Sequence, residues 1–131
     1  MKLITRDTDY ALRAVCFIAK CKNTKISVAD LVRELKMPRP FLRKILQTLG
    51  MRGILKSSKG KGGGFLLAKP GSDIFLTDLI KIFQGPLKLN ECLFKKMQCP
   101  NIRRCALRRK LDAIEQYVVK KLENITVASL L

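Results

Sequence analysis

The chain of 131 residues contains no histidine. That absence removes Cys₂His₂ zinc sites, histidine-ligated 2Fe–2S clusters and every catalytic triad built on an imidazole. Acidic side chains are scarce: ten stand against 27 Lys and Arg, for a net charge of +17. Long apolar runs are missing too, so no transmembrane helix is expected. The opening stretch MKLITRDTDYALRAV places two acids before any apolar run, which argues against a signal peptide. Gly62-Gly63-Gly64 lacks the GxxxxGK-S/T order of a phosphate loop and a helix after it, so no nucleotide site is expected. With no nucleophile–base pair either, no catalytic residues are assigned and an enzyme is not expected.

What remains is apolar enough to fold. Hydrophobic residues make up 47% of the chain, too many for a disordered tail, and the length suits one domain. The positive surplus makes a compact chain repel itself unless a polyanion is near, with nucleic acid first and an anionic membrane second. Five cysteines without an export signal point away from a disulfide framework and toward metal or redox chemistry in the cytoplasm.

Hydrophobic spacing divides the chain. Tyr10, Ala14, Phe17 and Ile18, flanked by Leu12 and Val15, predict a helix over 8–22 capped by Thr8 or Asp9. Ser27 and Asp30 resemble a capping box for a short second helix carrying Val28, Leu31, Val32 and Leu35. Lys36-Met37-Pro38 is a tight connection, with Pro38 or Pro40 in the first turn of a third helix. There Phe41, Leu42, Ile45, Leu46 and Leu49 should face inward, with Gly50 or Gly53 ending the run. Ile54-Leu55 and Phe65-Leu66-Leu67 flank a Ser/Lys/Gly loop and read as a β-hairpin with a long flexible tip. Thr77 should cap a short helix, DLIKIFQ, ending at Gly85-Pro86. A long helix is expected over 100–122, with Ile102, Cys105, Ala106, Leu111, Ile114, Tyr117, Val118 and Leu122 as its apolar stripe. A helix so long in so small a chain more often packs on a partner than on its own core. Thr126 should cap a last turn.

The fold class expected is mainly α with a small β-hairpin wing: a winged helix-turn-helix (28–51, wing 54–68) plus a long C-terminal helix. Ten basic residues and one acid, Glu34, lie between Arg33 and Lys69. Arg39, Arg43, Lys44 and Gln47 fall on the outer face of the third helix, where they could reach base edges or phosphates of double-stranded DNA. Lys56, Lys59 and Lys61 on the wing suit backbone phosphates.

Cys92, Cys99 and Cys105 form C-x6-C-x5-C in a loop over 87–105. The spacing does not place them on one helix face, so the loop must curl to bring them together. Lys95, Lys96, Arg103 and Arg104 favour thiolate there. Three widely spaced thiolates without tight CxxC pairs suit an iron–sulfur cluster better than structural zinc, and a disulfide switch stays open. Cys16 reads as ordinary packing, and Cys21 as a free thiol at a helix end.

YALRAV near the start, the helix-turn-helix, GILKSSKGKGGGFLLAKP as the wing, the three-cysteine loop and ENITVASLL at the end resemble the Rrf-two family of winged-helix transcriptional regulators, the IscR/NsrR-like proteins. The resemblance covers nearly the whole chain as a single regulator domain, 1–131. It implies a homodimer built on the 100–122 helix and a cluster held by Cys92, Cys99 and Cys105. In relatives the fourth ligand is a histidine near the third cysteine or an acid near the start of the opposite subunit. This chain has no histidine, and TDYALR aligns Asp9 with that acid, with Asp7 in reserve. Several relatives space the cysteines five and five, whereas the first gap here is six. The implied cofactor is 4Fe–4S in preference to 2Fe–2S, the implied signal nitric oxide, redox state or iron supply, and the implied location cytoplasmic. The alternative is a cluster-free regulator of the same fold, working through thiol oxidation or a protein partner. Neither a membrane nor a small-molecule substrate is expected.

Overall fold

The computed structural model describes residues 3–88 and 105–131. The first helix, α1 (Arg6–Lys20), starts earlier than the predicted 8–22. Neither Thr8 nor Asp9 caps it. Thr5 does, from an extended backbone, its hydroxyl accepting the Thr8 N–H at 3.4 Å. Thr8 is free for another task and is wholly buried. Ala11, Ala14, Val15, Ile18 and Ala19 form the buried face, with Tyr10, Leu12 and Phe17 at its edges. Cys21 ends the helix, and Asn23 follows with φ +58°.

The capping box of α2 (Val28–Leu35) forms as expected. The Ser27 N–H donates to Asp30 Oδ2 and the Asp30 N–H to Ser27 Oγ, each at 3.1 Å. Lys36 then turns the chain in the left-handed region, φ +54°, and Met37 is buried beneath the turn. Pro38 is the N-cap of α3 (Arg39–Met51), and Pro40 lies in its first turn, where a missing N–H costs nothing. The helix passes through Gly50, and Gly53 at φ +77° makes the turn into the wing. Leu42, Leu46 and Leu49 are fully buried, each contributing roughly 1.5–3 kcal/mol of transfer free energy. Phe41, predicted to face inward, is partly buried: it packs against the core and meets Tyr10 of α1 edge-on.

The wing pairs β1 (Leu55–Ser58) with β2 (Gly64–Leu67) antiparallel, Leu55 opposite Leu67 and Ser58 opposite Gly64. Its tip contains a hydrogen-bonded turn. Gly60 and Gly62 take φ +92° and +74°, and the Gly63 N–H donates to Gly60 O at 2.9 Å. A second pairing joins Ile26 to Phe65 by reciprocal backbone bonds of 3.1 and 2.8 Å. The approach is so close that a Cβ on Gly64 would stand 2.8 Å from Ile26 O.

The helix α4 (Leu76–Phe83) is not capped by Thr77, which lies inside it. Phe75 is the N-cap residue, its N–H donating to Asp78 Oδ2 at 3.1 Å. Gly85, φ +76°, ends it as expected. The last helix is α5 (Ala106–Glu123). Cys105, predicted inside it, is its N-cap, and positions 100–104 of the expected helix lie outside the described residues. Afterwards the chain returns to the core. Leu76 donates to Ile125 O and Val127 to Ile74 O, both at 2.9 Å, and Val127 is fully buried. Thr126 and Ser129 cap the final turn reciprocally at 3.1 Å, as the sequence suggests.

Candidate nucleic-acid interface

The amphipathic pattern of α3 sets the interface. Because Leu42, Ile45, Leu46 and Leu49 are buried, the helical period leaves Arg39, Arg43, Lys44 and Gln47 exposed on the other side. Lys56 on β1 and Lys59 and Lys61 at the tip are exposed as well. None of these six cations has an acidic partner among the described residues. The carboxylates go elsewhere: Asp30 to Arg33 at 3.0 Å, Asp9 to Arg13 at 3.0 Å, Glu115 to Lys88 at 3.7 Å. Asp30 is held below the usual carboxylate range by hydrogen bonds from Ser27, with Arg33 adding to them. The surface around α3 and the wing is therefore positive and uncompensated, a geometry suited to phosphates.

Two residues that bear on the start of α1 carry no signal in the sequence. The guanidinium of Arg6 lies 4.5 Å from the ring centroid of Phe41, which meets Tyr10 edge-on at 6.2 Å. Gln84, the C-cap of α4, accepts from the Thr5 N–H at 3.0 Å and the Thr8 hydroxyl at 2.8 Å, and donates to Leu3 O at 3.0 Å. It pins the start of α1. Both contacts join positions tens of residues apart through side chains without periodicity, so spacing could not have found them.

Of the cluster candidates, Cys92 and Cys99 lie outside the described residues. Cys105 is a half-buried free thiol at the start of α5. Asp9 is in the first turn of α1 and engaged by Arg13, while Asp7 beside it makes no ion pair among the described residues. Cys16 packs against the core as expected, and burial pushes its thiol up, with Lys20 opposing. On α5 the apolar stripe splits. Leu111, Val118 and Leu122 are partly covered, whereas Leu107, Ile114 and Tyr117 are 65%, 53% and 62% exposed. Glu115, a residue the apolar pattern could not flag, is buried beside Lys88. No helix among the described residues is long and apolar enough to cross a membrane.

The profile of Rrf2, the iron-dependent transcriptional regulators, matches residues 4–131. The chain belongs to the Rrf2 family. An HTH-type transcriptional regulator named in Aquifex aeolicus is 30% identical over 132 residues, 98% of this chain and 92% of that one. The fold is similar to CymR (YrzC), the global cysteine regulator of B. subtilis, with a TM-score of 0.79 at 24% identity over 99% of this chain and 96% of that one. It is also similar to IscR of T. potens, with a TM-score of 0.69 at 23% identity over 99% and 85%. This Rrf2 chain is thus a winged-helix transcriptional regulator and not an enzyme, from a family that binds DNA.

Proposed function

We propose that this Rrf2 regulator grips double-stranded DNA as a homodimer and senses nitric oxide, redox state or iron supply through an iron–sulfur cluster. The observation that carries the DNA reading is the exposed, unpaired basic face of α3 with the wing lysines beside it. Arg39, Arg43, Lys44 and Gln47 reach base edges and neighbouring phosphates in the major groove, and Lys56, Lys59 and Lys61 hold the backbone. The exposed Leu107, Ile114 and Tyr117 on α5 support pairing of two copies, which spaces the recognition helices for half-sites about one helical turn (~34 Å) apart.

For the cofactor, the donor chemistry fits. Cys105 is a free thiol at the N-terminus of an 18-residue helix with no acid in its first turn, a position suited to an anionic ligand. Cys92, Cys99 and Cys105 would hold the cluster, preferably 4Fe–4S, with Asp9 of the second copy as the oxygen ligand. When bound, the cluster supplies a centre reactive toward nitric oxide and oxygen. Asp9 would exchange its ion pair with Arg13 for the ligand role, so the start of α1 answers to the state of the cysteine segment. The test is purification without oxygen, with iron, sulfide and visible absorbance measured. A colourless protein without iron after reconstitution would sink the cluster claim.

The likeness to the cysteine regulator CymR favours one second reading, a cluster-free regulator switched by thiol oxidation or a protein partner. A reversible disulfide among Cys92, Cys99 and Cys105, seen by mass spectrometry in iron-free protein that still binds DNA, would decide for it.

A further inference from the structure

We infer that Arg6 is a DNA-backbone contact, held ready for phosphate by the ring of Phe41, so that the interface extends from α3 and the wing onto the start of α1. The inference rests on the DNA-binding reading. Phe41 lies in the first turn of α3, between Arg39 and Arg43, at the end of a recognition helix that meets base edges. Arg6 reaches this turn from another element, with its guanidinium carbon 4.5 Å from the ring centroid.

The manner of contact matters. A guanidinium that meets a ring engages the π-face, and its N–H donors lie in its own plane, directed at the perimeter. Arg6 makes no hydrogen bond or ion pair among the described residues. Other arginines differ: Arg13 Nε donates to Asp9 and Arg33 Nη2 to Asp30, both at 3.0 Å. Asp7 and Asp9 stand near Arg6 in sequence, yet neither takes it. Arg6 is therefore a positive fork that rests against a ring, exposed, and with no hydrogen-bond partner among the described residues. Phosphate is the anion such a fork matches bidentately. Tyr10 meets Phe41 edge-on, and Gln84 fixes the Thr5 N–H one residue before Arg6.

The test uses the full chain, a short duplex of arbitrary sequence, and an operator selected by the wild type from a randomised duplex pool. Affinity is measured against salt for wild type, R6Q, F41L and R43Q. R6Q removes one contact from each copy, so for the dimer it should lower the log–log slope by about 1.8, as expected for two phosphates, and weaken binding about sixtyfold at 0.1 M salt. It should weaken both duplexes alike, since a phosphate carries no sequence information, and leave the thermal midpoint unchanged. F41L keeps the charge, so it should keep the slope while weakening binding at every salt concentration. Binding by R6Q with the wild-type slope and affinity, while R43Q binds weakly, would overturn the role of Arg6 and leave the DNA reading standing. Wild type that binds neither duplex would overturn both.

Discussion

Replacing Gln84 with leucine should loosen the start of α1 by an amount the structure allows us to work out. The amide makes three hydrogen bonds, to the Thr5 N–H, the Thr8 hydroxyl and Leu3 O. Leucine keeps most of the volume and makes none of them. The Leu3 carbonyl can turn to water, because that bond is exposed. The Thr8 hydroxyl cannot, because Thr8 has no accessible surface, although it keeps its 3.1 Å contact with Thr5 Oγ1. At about 1 kcal/mol for each of the two inner bonds, the loss is about 2 kcal/mol. For a chain of this size that lowers the thermal midpoint by about 8 °C. The assay is thermal unfolding followed by circular dichroism, paired with T8V and the double variant. Thr8 and Gln84 share a bond, so the double variant should cost less than the sum of the two single changes. A midpoint shift under about 2 °C for Q84L, or strict additivity, would refute the reasoning.

Other outcomes follow from single features. Leu46→Ala should destabilise by about 2–5 kcal/mol in chemical denaturation, since Leu46 is fully buried in the centre of α3. Gly64→Ala should disrupt the Ile26–Phe65 pairing and speed amide exchange at both residues, because the added methyl would stand 2.8 Å from Ile26 O. Asp30 has a folded-state pKa below its unfolded value, so its contribution to stability is present above the unfolded pKa and lost as pH falls through the folded one. Asp30→Asn should accordingly flatten the acid limb of the stability profile. The Cys16 thiol, pushed up by burial, should alkylate more slowly at neutral pH in the folded chain than in the unfolded one, read by mass spectrometry at that residue.

The parts of this protein legible in its sequence are those written in a local period. The face of α3, the capping box at Ser27 and Asp30 and the presence of the hairpin each follow from spacing within about a dozen residues. Caps that depend on distant partners mislead. Thr8 looks like an N-cap until Gln84, 76 residues away, claims its hydroxyl. Thr77 looks like one until Ile125 O takes the Leu76 N–H and Asp78 closes the turn on Phe75. The Ile26–Phe65 pairing is one residue long and has no period at all. The basic interface is legible because charge and helical phase coincide there. Arg6 is not, because its place is fixed by a ring on a different helix.

Salt should separate the two associations proposed for this chain, because charge opposes one and drives the other. The face of α5 that would meet a second copy carries Leu107, Ile114 and Tyr117, while Arg108, Arg109, Lys110, Lys120 and Lys121 share the helix. Lys121 stands 5.5 Å from the Tyr117 ring centroid, and Arg108 is 3.9 Å from Asp112, so only part of that charge is offset. Covering the exposed fractions of the three apolar side chains contributes roughly 1–2 kcal/mol each. Two copies of a chain with net charge +17 repel across the contact, and added salt screens that repulsion within about 10 Å at 0.1 M. Self-association measured by sedimentation should therefore tighten as salt rises from low concentration, while DNA affinity falls over the same range. I114E should abolish the self-association without touching the α3 face. If dimerisation weakens with salt in parallel with DNA binding, the contact is polar, and the apolar stripe of α5 is not its centre.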